Sequence, residues 1–182
     1  MRSNRRSPLA RAVLCLALSA GFGATAVAAT SLSNLTTLLP LANAGTNGIQ
    51  TRGEPILASD GNFYFTTYGG GSGAGTLMRV SPTGTATVLH SFAGASSEGA
   101  LPHAGVVQGT DGAFYGTTYF GGASNLGVVY KVGADGTYTN LFSFTNASQG
   151  GFLPYTGLTQ VGTDFYGTTL RGGVNDAGTV FR

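Results

Sequence analysis

Phe114-Tyr115-Gly116-Thr117-Thr118 is the second of three closely related segments in this chain of 182 residues. Phe63-Tyr64-Phe65-Thr66-Thr67 precedes it by 51 residues, and Phe165-Tyr166-Gly167-Thr168-Thr169 follows it at the same spacing. Self-similarity at a fixed period of roughly 20 to 50 residues is typical of stacked supersecondary units. The sequence therefore predicts a repeat protein built from one β-rich unit.

The second unit shows the predicted strands most clearly, because apolar and small polar residues alternate between turn signals. The predicted strands are a, near 104–108, b, 113–118, c, 127–132, and d, 137–144. Asp111-Gly112 and Asp135-Gly136 are suited to tight hairpin turns that need a positive φ. Gly121-Gly122 opens a longer loop between strands b and c. Each unit is thus predicted to be an up-and-down antiparallel sheet of four strands.

Strand b should present a different set of side chains on each face of its sheet. Period-two alternation places Phe114 with Gly116 and Thr118 on one face, and Tyr115 with Thr117 on the other. The repeated phenylalanines, Phe63, Phe114 and Phe165, are expected to face the core. A sheet of this size cannot stand alone, so it must bury a face against its neighbours.

The two ends of the chain carry parts of units. Segment 35–41 aligns with strand d, and segment 178–182 aligns with strand c of an incomplete third unit. This pattern predicts an all-β, β-propeller-like array of about three four-stranded antiparallel blades, since a propeller ring can be closed by its first strand. Three blades are fewer than the usual 4 to 8. Either the array belongs to a larger ring formed with other copies, as a homo-oligomer, or the sequence is a fragment of a longer array.

The N-terminal residues 1–28 have the pattern of a secretory signal peptide. A basic region (Arg2, Arg5, Arg6 and Arg11) precedes the apolar stretch 12–18, and Ala26-Val27-Ala28 supplies a cleavage signal. The mature β-repeat domain is predicted to cover 29–182. Its parts are a partial unit (35–50), unit one (51–101), unit two (102–153) and an incomplete unit three (154–182). The expected location is secreted, periplasmic or at the cell surface, with no stable membrane span in the mature chain.

Removal of the leader changes the charge of the protein. The whole chain has a net charge of +2, but four of its nine basic residues lie in the leader, which leaves five basic and seven acidic residues, or −2. Nucleic-acid binding is therefore not expected, because it depends on clustered Lys and Arg. Cys15 also lies in the leader, so the mature chain has no disulfide and no thiolate. No cofactor and no metal are predicted.

The residues of the second unit resemble a known family. Asp-Gly-x-Phe-Tyr-Gly-Thr-Thr, then Gly-x-Val-Tyr-Lys-Val, then Gly-Thr-Tyr-Thr-x-Leu-Phe-Ser-Phe, read within 111–144, are similar to the GloVer-type tandem repeat of bacterial exported proteins. The resemblance covers the chain from about Leu35 onward. It implies a surface or secreted protein, often with a C-terminal sorting anchor, and no established activity. The kelch repeat is a second resemblance, although the chain lacks the tryptophan of that repeat.

Most polar residues that could carry chemistry have a structural interpretation. Asp60, Asp111, Asp135 and Asp176 are interpreted as turn residues, since no segment has the acidic spacing of a calcium loop. His90 and His103 lack a nucleophile motif, and His90 occupies the position of Phe142 in the next unit. Glu54 and Glu98, with an Asp, are not expected to act as paired carboxylates, because Glu54 aligns with Gly105 and Glu98 lies in the loop between strands d and a. The Gly-rich segment 69–75 lacks the residues of a phosphate-binding loop.

A ligand site is predicted from position in the repeat. The loops between strands b and c carry Tyr68, Tyr119 and Phe120, with Arg171 in the third unit, and equivalent propeller loops share one face. Tyr and Arg there could stack on sugars or anchor a peptide. The first functional hypothesis is therefore a non-catalytic module that binds glycans or proteins, or has a structural role. The alternatives are a propeller enzyme of the lyase or lactonase type and a fragment without independent function.

Overall fold

A computed structural model describes residues 48–145 and 150–182, together with Thr37, Leu39 and Leu41. The predicted signal peptide and the rest of segment 35–41 lie outside the described residues. The strands are β1 (Ile49–Thr51), β2 (Ile56–Leu57), β3 (Phe63–Gly69), β4 (Thr76–Val80), β5 (Ala86–Ser91), β6 (Gly99–Ala100), β7 (Val107–Gln108), β8 (Phe114–Thr118), β9 (Phe120–Gly121), β10 (Val128–Val132), β11 (Tyr138–Ser143), β12 (Gly151–Pro154), β13 (Thr159–Val161), β14 (Asp164–Gly172) and β15 (Thr179–Phe181). A 3₁₀ turn, Val174–Asp176, precedes β15. No helix in these ranges is long and apolar enough to cross a membrane.

The strands form antiparallel sheets that follow one another along the chain, which confirms the all-β prediction. Sheet 1 has the order β1-β3-β4-β5, with β2 also paired to β3. Sheet 2 has the order β11-β10-β8-β7, and β6 pairs with β9 beside it. Sheet 3 has the order β12-β14-β13, with β15 on the other edge of β14. The observed strands b, c and d of sheet 2 agree with the predicted ones to within a residue or two.

The first strand of each unit differs from its prediction, because it is split into two short pieces. In sheet 2 the pieces are β6, which pairs with β9 just beyond the long strand β8, and β7, which pairs with the start of β8. Leu101, just after β6, has a φ of 53°, and its equivalent Leu153, within β12 of sheet 3, has a φ of 56°. Their N–H groups bond carbonyls of the preceding sheet, Ala74 and Leu126, each at 2.8 Å. These bonds stabilise a backbone conformation that leucine rarely adopts.

The Asp-Gly turns form as predicted, with the two residues in different roles. Gly112 takes the positive φ, 80°, and its N–H bonds the carbonyl of Gly109 at 2.9 Å. Asp111 accepts the N–H of Ala113 through its carboxylate at 3.2 Å. Asp135 accepts the N–H of Thr137 in the same way at 3.0 Å. This is the three-residue hairpin with a glycine in the left-handed region.

Neighbouring sheets pack against each other through the aromatic residues of their long strands. The ring of Tyr64 in sheet 1 stacks on Phe114 in sheet 2, with centroids 4.0 Å apart. The ring of Tyr115 in sheet 2 stacks on Phe165 in sheet 3 at 4.3 Å. The Phe of the repeated motif therefore contacts the preceding sheet and the Tyr contacts the following one.

The two threonines of the motif divide the polar contacts in a similar way. The first threonine reaches the following sheet: Thr66 donates to the carbonyl of Ala104 at 2.8 Å, and Thr117 donates to that of Thr156 at 3.0 Å. The second threonine bonds within the loop that follows its own strand: Thr118 donates to the carbonyl of Phe120 at 2.8 Å. Both threonine positions of the motif thus have hydrogen-bond partners, which buried hydroxyl groups require.

The main hydrophobic core lies between sheets 1 and 2. Its buried residues are Ala58, Tyr64, Ala74, Leu77, Phe92, Ala100, Val106, Phe114, Val128, Tyr130 and Val132. Phe114 is 1% exposed, as expected for a core residue, whereas Phe63 and Phe165 are half-buried. Phe63 and Phe165 each line an open cavity, which leaves part of both rings exposed.

Substitution of Gly127 tests how closely the sheets approach one another. A Cβ at this position would lie 2.5 Å from the carbonyl oxygen of Thr118 and 2.6 Å from Cδ of Pro154 in the next sheet. We expect Gly127→Ala to lower the free energy of unfolding by about 1–3 kcal/mol more than Gly112→Ala, because overpacking adds to the backbone strain that both changes share. Gly112 is the matched control, since it also has a positive φ but nothing within 4 Å of the new Cβ. Equal losses for the two variants in urea unfolding would contradict this packing.

Candidate functional site

A row of side chains crosses the three sheets at the end of their long strands. This aromatic row consists of one arginine and four ring side chains, Arg52, Tyr68, His103, Tyr119 and Tyr155. Arg52 and Tyr68 belong to sheet 1, His103 and Tyr119 to sheet 2, and Tyr155 to sheet 3. One surface therefore collects two residues each from sheets 1 and 2 and one residue from sheet 3.

Each member of the aromatic row contacts the next one. The guanidinium carbon of Arg52 lies 4.7 Å from the centroid of the Tyr68 ring. The His103 ring lies 4.9 Å from Tyr68, 4.8 Å from Tyr119 and 4.5 Å from Tyr155, measured between centroids. The angle between the planes of Tyr68 and His103 is 85°, and that between His103 and Tyr155 is 38°. The rings thus present both edges and faces, which suits contact with an amphipathic ligand.

The repeat explains why these residues meet. Tyr68 and Tyr119 occupy the same position, at the end of the long strand of their sheets. Arg52, His103 and Tyr155 occupy a second shared position, in the link between the two pieces of the first strand. Because the sheets stack in sequence order, residues from the two positions alternate along the row.

His103 lies at the centre of the row and is held in its neutral form. Burial lowers the pKa of His103 below its usual 6.5, and the charge of Arg52 lowers it further. Among the described residues Nδ1 of His103 has no hydrogen-bond partner. The ring therefore contributes a flat uncharged surface near neutral pH.

The structure brings three of the four predicted site residues together. Tyr68 and Tyr119 both contact His103, and the Phe120 ring meets Tyr119 edge-on at 4.6 Å. Arg171 instead forms an ion pair with Asp176 at 2.8 Å, where the carboxylate also accepts the N–H of Gly172. Arg171 therefore stabilises the loop before β15.

Arg52, His103 and Tyr155 were missed as site residues by sequence reasoning. Their repeat position holds Arg52, His103 and Tyr155 in turn, so it carries no constant residue type that would mark it. The usable signal was the position itself, directly after the Leu-Pro pairs Leu101-Pro102 and Leu153-Pro154. Recognising it required the split first strand, which the sequence pattern does not predict.

The remaining polar candidates form local structural contacts. Nε2 of His90 pairs with the Glu98 carboxylate, and its ring stacks on Tyr138 with centroids 4.9 Å apart, which agrees with its predicted packing role. Glu54 is exposed. Within 48–145 and 150–182, no three His, Cys, Asp or Glu side chains come together as metal ligands.

Asp111 has a further role beyond its turn. Its carboxylate accepts the hydroxyl of Tyr115 at 2.8 Å and pairs with Lys131 at 2.8 Å. These partners, Lys131 first, lower the pKa of Asp111 to about 2. In sheet 1 the hydroxyl of Tyr64 bonds Asp60 in the same way at 2.8 Å. The acid thus fixes the tyrosine that stacks on the next sheet.

A family model for the Gloeobacter/Verrucomicrobia repeat matches residues 20–182. The match supports the resemblance to the GloVer-type repeat. It does not support the kelch alternative. A search of curated proteins found no match to the chain.

The charge of Arg52 can be tested through His103. We expect the imidazole of His103 to titrate below pH 6.5 in NMR spectra, and Arg52→Ala to raise its pKa by removing a nearby positive charge. Because the folded state disfavours the charged ring, the contribution of His103 to stability is complete above pH 6.5 and is lost as the pH falls below it. Arg171→Ala is the matched control and should leave the pKa unchanged. Titration of His103 at or above pH 6.5, or no response to Arg52→Ala, would refute this arrangement.

Proposed function

We propose that this chain, which belongs to the Gloeobacter/Verrucomicrobia repeat family over residues 20–182, is an exported, non-catalytic module that binds glycans through its aromatic row. The observation that carries the proposal is the continuous contact of Tyr68, His103, Tyr119 and Tyr155 across three sheets. Export is supported by the signal-peptide pattern of 1–28.

We further propose that the sheets are consecutive blades of a β-propeller. The support is that each sheet presents its motif tyrosine to the following sheet and its motif phenylalanine to the preceding one, as Tyr115 and Phe114 do. In such an array the equivalent loops of all blades share one face, which is where the binding surfaces of propellers form. The aromatic row would then cross several blades on that face.

The exposure and chemistry of the row favour a sugar ligand. Tyr155 is 45% exposed, and Tyr68, His103 and Tyr119 are partly exposed beside it. Tyrosine combines a large rigid apolar surface with a hydroxyl group, and it binds ligands at a low cost in conformational entropy. A sugar has the same combination of apolar ring faces and polar edges, so both parts of the tyrosine side chain would find a partner.

The small number of charges in the aromatic row favours a neutral ligand. Arg52 is the one cationic member of the row, and His103 is neutral near pH 7 because its pKa is lowered. The mature chain would carry five basic and seven acidic residues. A polyanion such as nucleic acid binds through clustered cations, which this row does not supply.

Substitution of Tyr119 tests the proposed site. The wild-type protein is first screened on an array of neutral oligosaccharides, and the strongest hit is then measured by isothermal titration calorimetry. We expect Tyr119→Ala to weaken that binding at least about tenfold, or ~1.4 kcal/mol, because a central aromatic contact is lost. Phe142→Ala is the matched control, since Phe142 is an exposed aromatic residue (56%) outside the row.

Three results would count against the proposal. The first is an array with no hit, and the second is a hit whose affinity is unchanged in Tyr119→Ala. The third is turnover of a substrate by the purified protein, which would establish an enzyme instead of a binding module. Capture of a polypeptide that competes with the sugar hit would keep the row as the site and add a second ligand class.

A further inference from the structure

One position of the repeat changes its exposure from sheet to sheet. Leu77, Val129 and Val180 are equivalent residues on the face of their sheets that looks toward the following sheet. Leu77 is 0% exposed beneath sheet 2, and Val129 is half-buried beneath sheet 3. Val180, beyond which the described residues contain no further sheet, is 77% exposed. This face of sheet 3 therefore carries the residues that form an inter-sheet contact in sheets 1 and 2, but no described sheet covers it.

The motif tyrosine shows the same trend. Tyr64 is 2% exposed and stacks on Phe114, whereas Tyr166 at the matching position of sheet 3 is 36% exposed. Leu170 on the same strand is 47% exposed. Apolar side chains in a repeat array are normally covered by the next unit, so this face has the character of an internal contact surface.

The opposite end of the array presents the complementary side. Phe63, Phe65 and Val80 of sheet 1, together with Leu39 and Leu41, line an open cavity of about 470 Å³. Phe63 matches Phe114 and Phe165, which both receive the tyrosine of a preceding sheet. The first face is therefore built to receive a tyrosine such as Tyr166.

A second cavity, of about 420 Å³, lies between sheets 2 and 3 beside β15. It is lined by Leu141, Phe142 and Phe144 of sheet 2 and by Phe165 and Phe181 of sheet 3. In sheets 1 and 2 the equivalent edge is closed, because β4 pairs with β5 and β10 pairs with β11. In the described part of the chain, β15 pairs with β14 alone.

We propose that a second copy of this chain docks head-to-tail on these faces, sheet 3 of one copy against sheet 1 of the other. Segment 35–41 of the second copy, which aligns with strand d, then pairs with β15 and fills the second cavity. Two copies close a ring of six sheets, within the usual 4 to 8. The inference rests on the blade arrangement proposed above and goes beyond sugar binding.

The register of the missing pair follows from the two complete sheets. Leu77 is paired with His90 in sheet 1, and Val129 is paired with Phe142 in sheet 2. Leu39 is the residue of segment 35–41 that matches His90. Val180 of one copy should therefore lie opposite Leu39 of the other.

The first test measures the mass of the exported full-length protein by native mass spectrometry. We expect a dimer for the wild type, and at least a tenfold weaker dimer for Val180→Arg, because a buried charge would face apolar residues. Val180→Leu introduces the residue found at Leu77 and should preserve the dimer. Val174→Arg is the matched control, since Val174 is 82% exposed on the 3₁₀ turn before β15 and lies outside the proposed interface.

The second test joins the predicted pair covalently. Paired strand residues have Cα atoms about 4.5–5.5 Å apart, which is within reach of a disulfide. We expect the double variant Leu39→Cys/Val180→Cys to give a reducible dimer under oxidising conditions, and Leu39→Cys/Val174→Cys to give none. The leader cysteine, Cys15, does not interfere in a processed chain.

The outcomes separate the possible occupants of the two faces. A wild-type monomer at micromolar concentration, or a dimer unaffected by Val180→Arg, overturns the proposal. A disulfide within one chain overturns it in favour of ring closure by a single copy, and an open-ended series of masses excludes a closed ring. If the native product is one longer chain with further repeats, those repeats cover the two faces and the proposal is overturned. None of these outcomes affects the sugar-binding test at Tyr119.

Discussion

Stacking of a tyrosine on a phenylalanine of the next sheet is the contact on which the rest of the structure depends. Tyr64 meets Phe114 at 4.0 Å and Tyr115 meets Phe165 at 4.3 Å, so the same contact joins each sheet to its successor. A small sheet cannot bury enough apolar surface by itself, and its stability comes from its neighbours. The five-residue motif therefore encodes the stacking of sheets more than the sheet itself.

Other features of the chain support this contact. The turn acids hold the stacking tyrosines, as Asp111 holds Tyr115 at 2.8 Å. Close approach of the sheets needs glycine at Gly127, where a Cβ would meet the next sheet. The ends of the long strands are not part of the stacking contact, so the residues there can differ between units. The aromatic row lies at these ends. Architecture and the proposed binding site thus use different parts of one repeat.

Local pattern was sufficient to predict the strands that lie between strong turn signals. Strands β8, β10 and β11 were predicted because alternation and Asp-Gly pairs are both local features. The split first strand was not predicted, since it depends on a left-handed leucine, Leu101, that a hydrogen bond from another sheet stabilises. Long-range contacts of this kind leave no mark on nearby residues.

The candidate site was predictable to the extent that it follows the repeat. Tyr68 and Tyr119 share a position and a residue type, and both lie in the row. His103 and Tyr155 share a position but not a residue type, so only the stacking of the sheets reveals them. Arg171 was grouped with the tyrosines by position, yet an acid five residues later, Asp176, takes its guanidinium at 2.8 Å.

A double-mutant cycle between Tyr115 and Phe165 tests most directly whether the stacking contact joins the sheets. The free energies of unfolding of Tyr115→Leu, Phe165→Leu and the double variant are compared with that of the wild type in urea. The stacking contact predicts a coupling energy of about 0.5–1.5 kcal/mol between the two residues, because each substitution alone removes the same ring pair. Losses that add to within ~0.3 kcal/mol would show that the two rings are independent and would contradict the account.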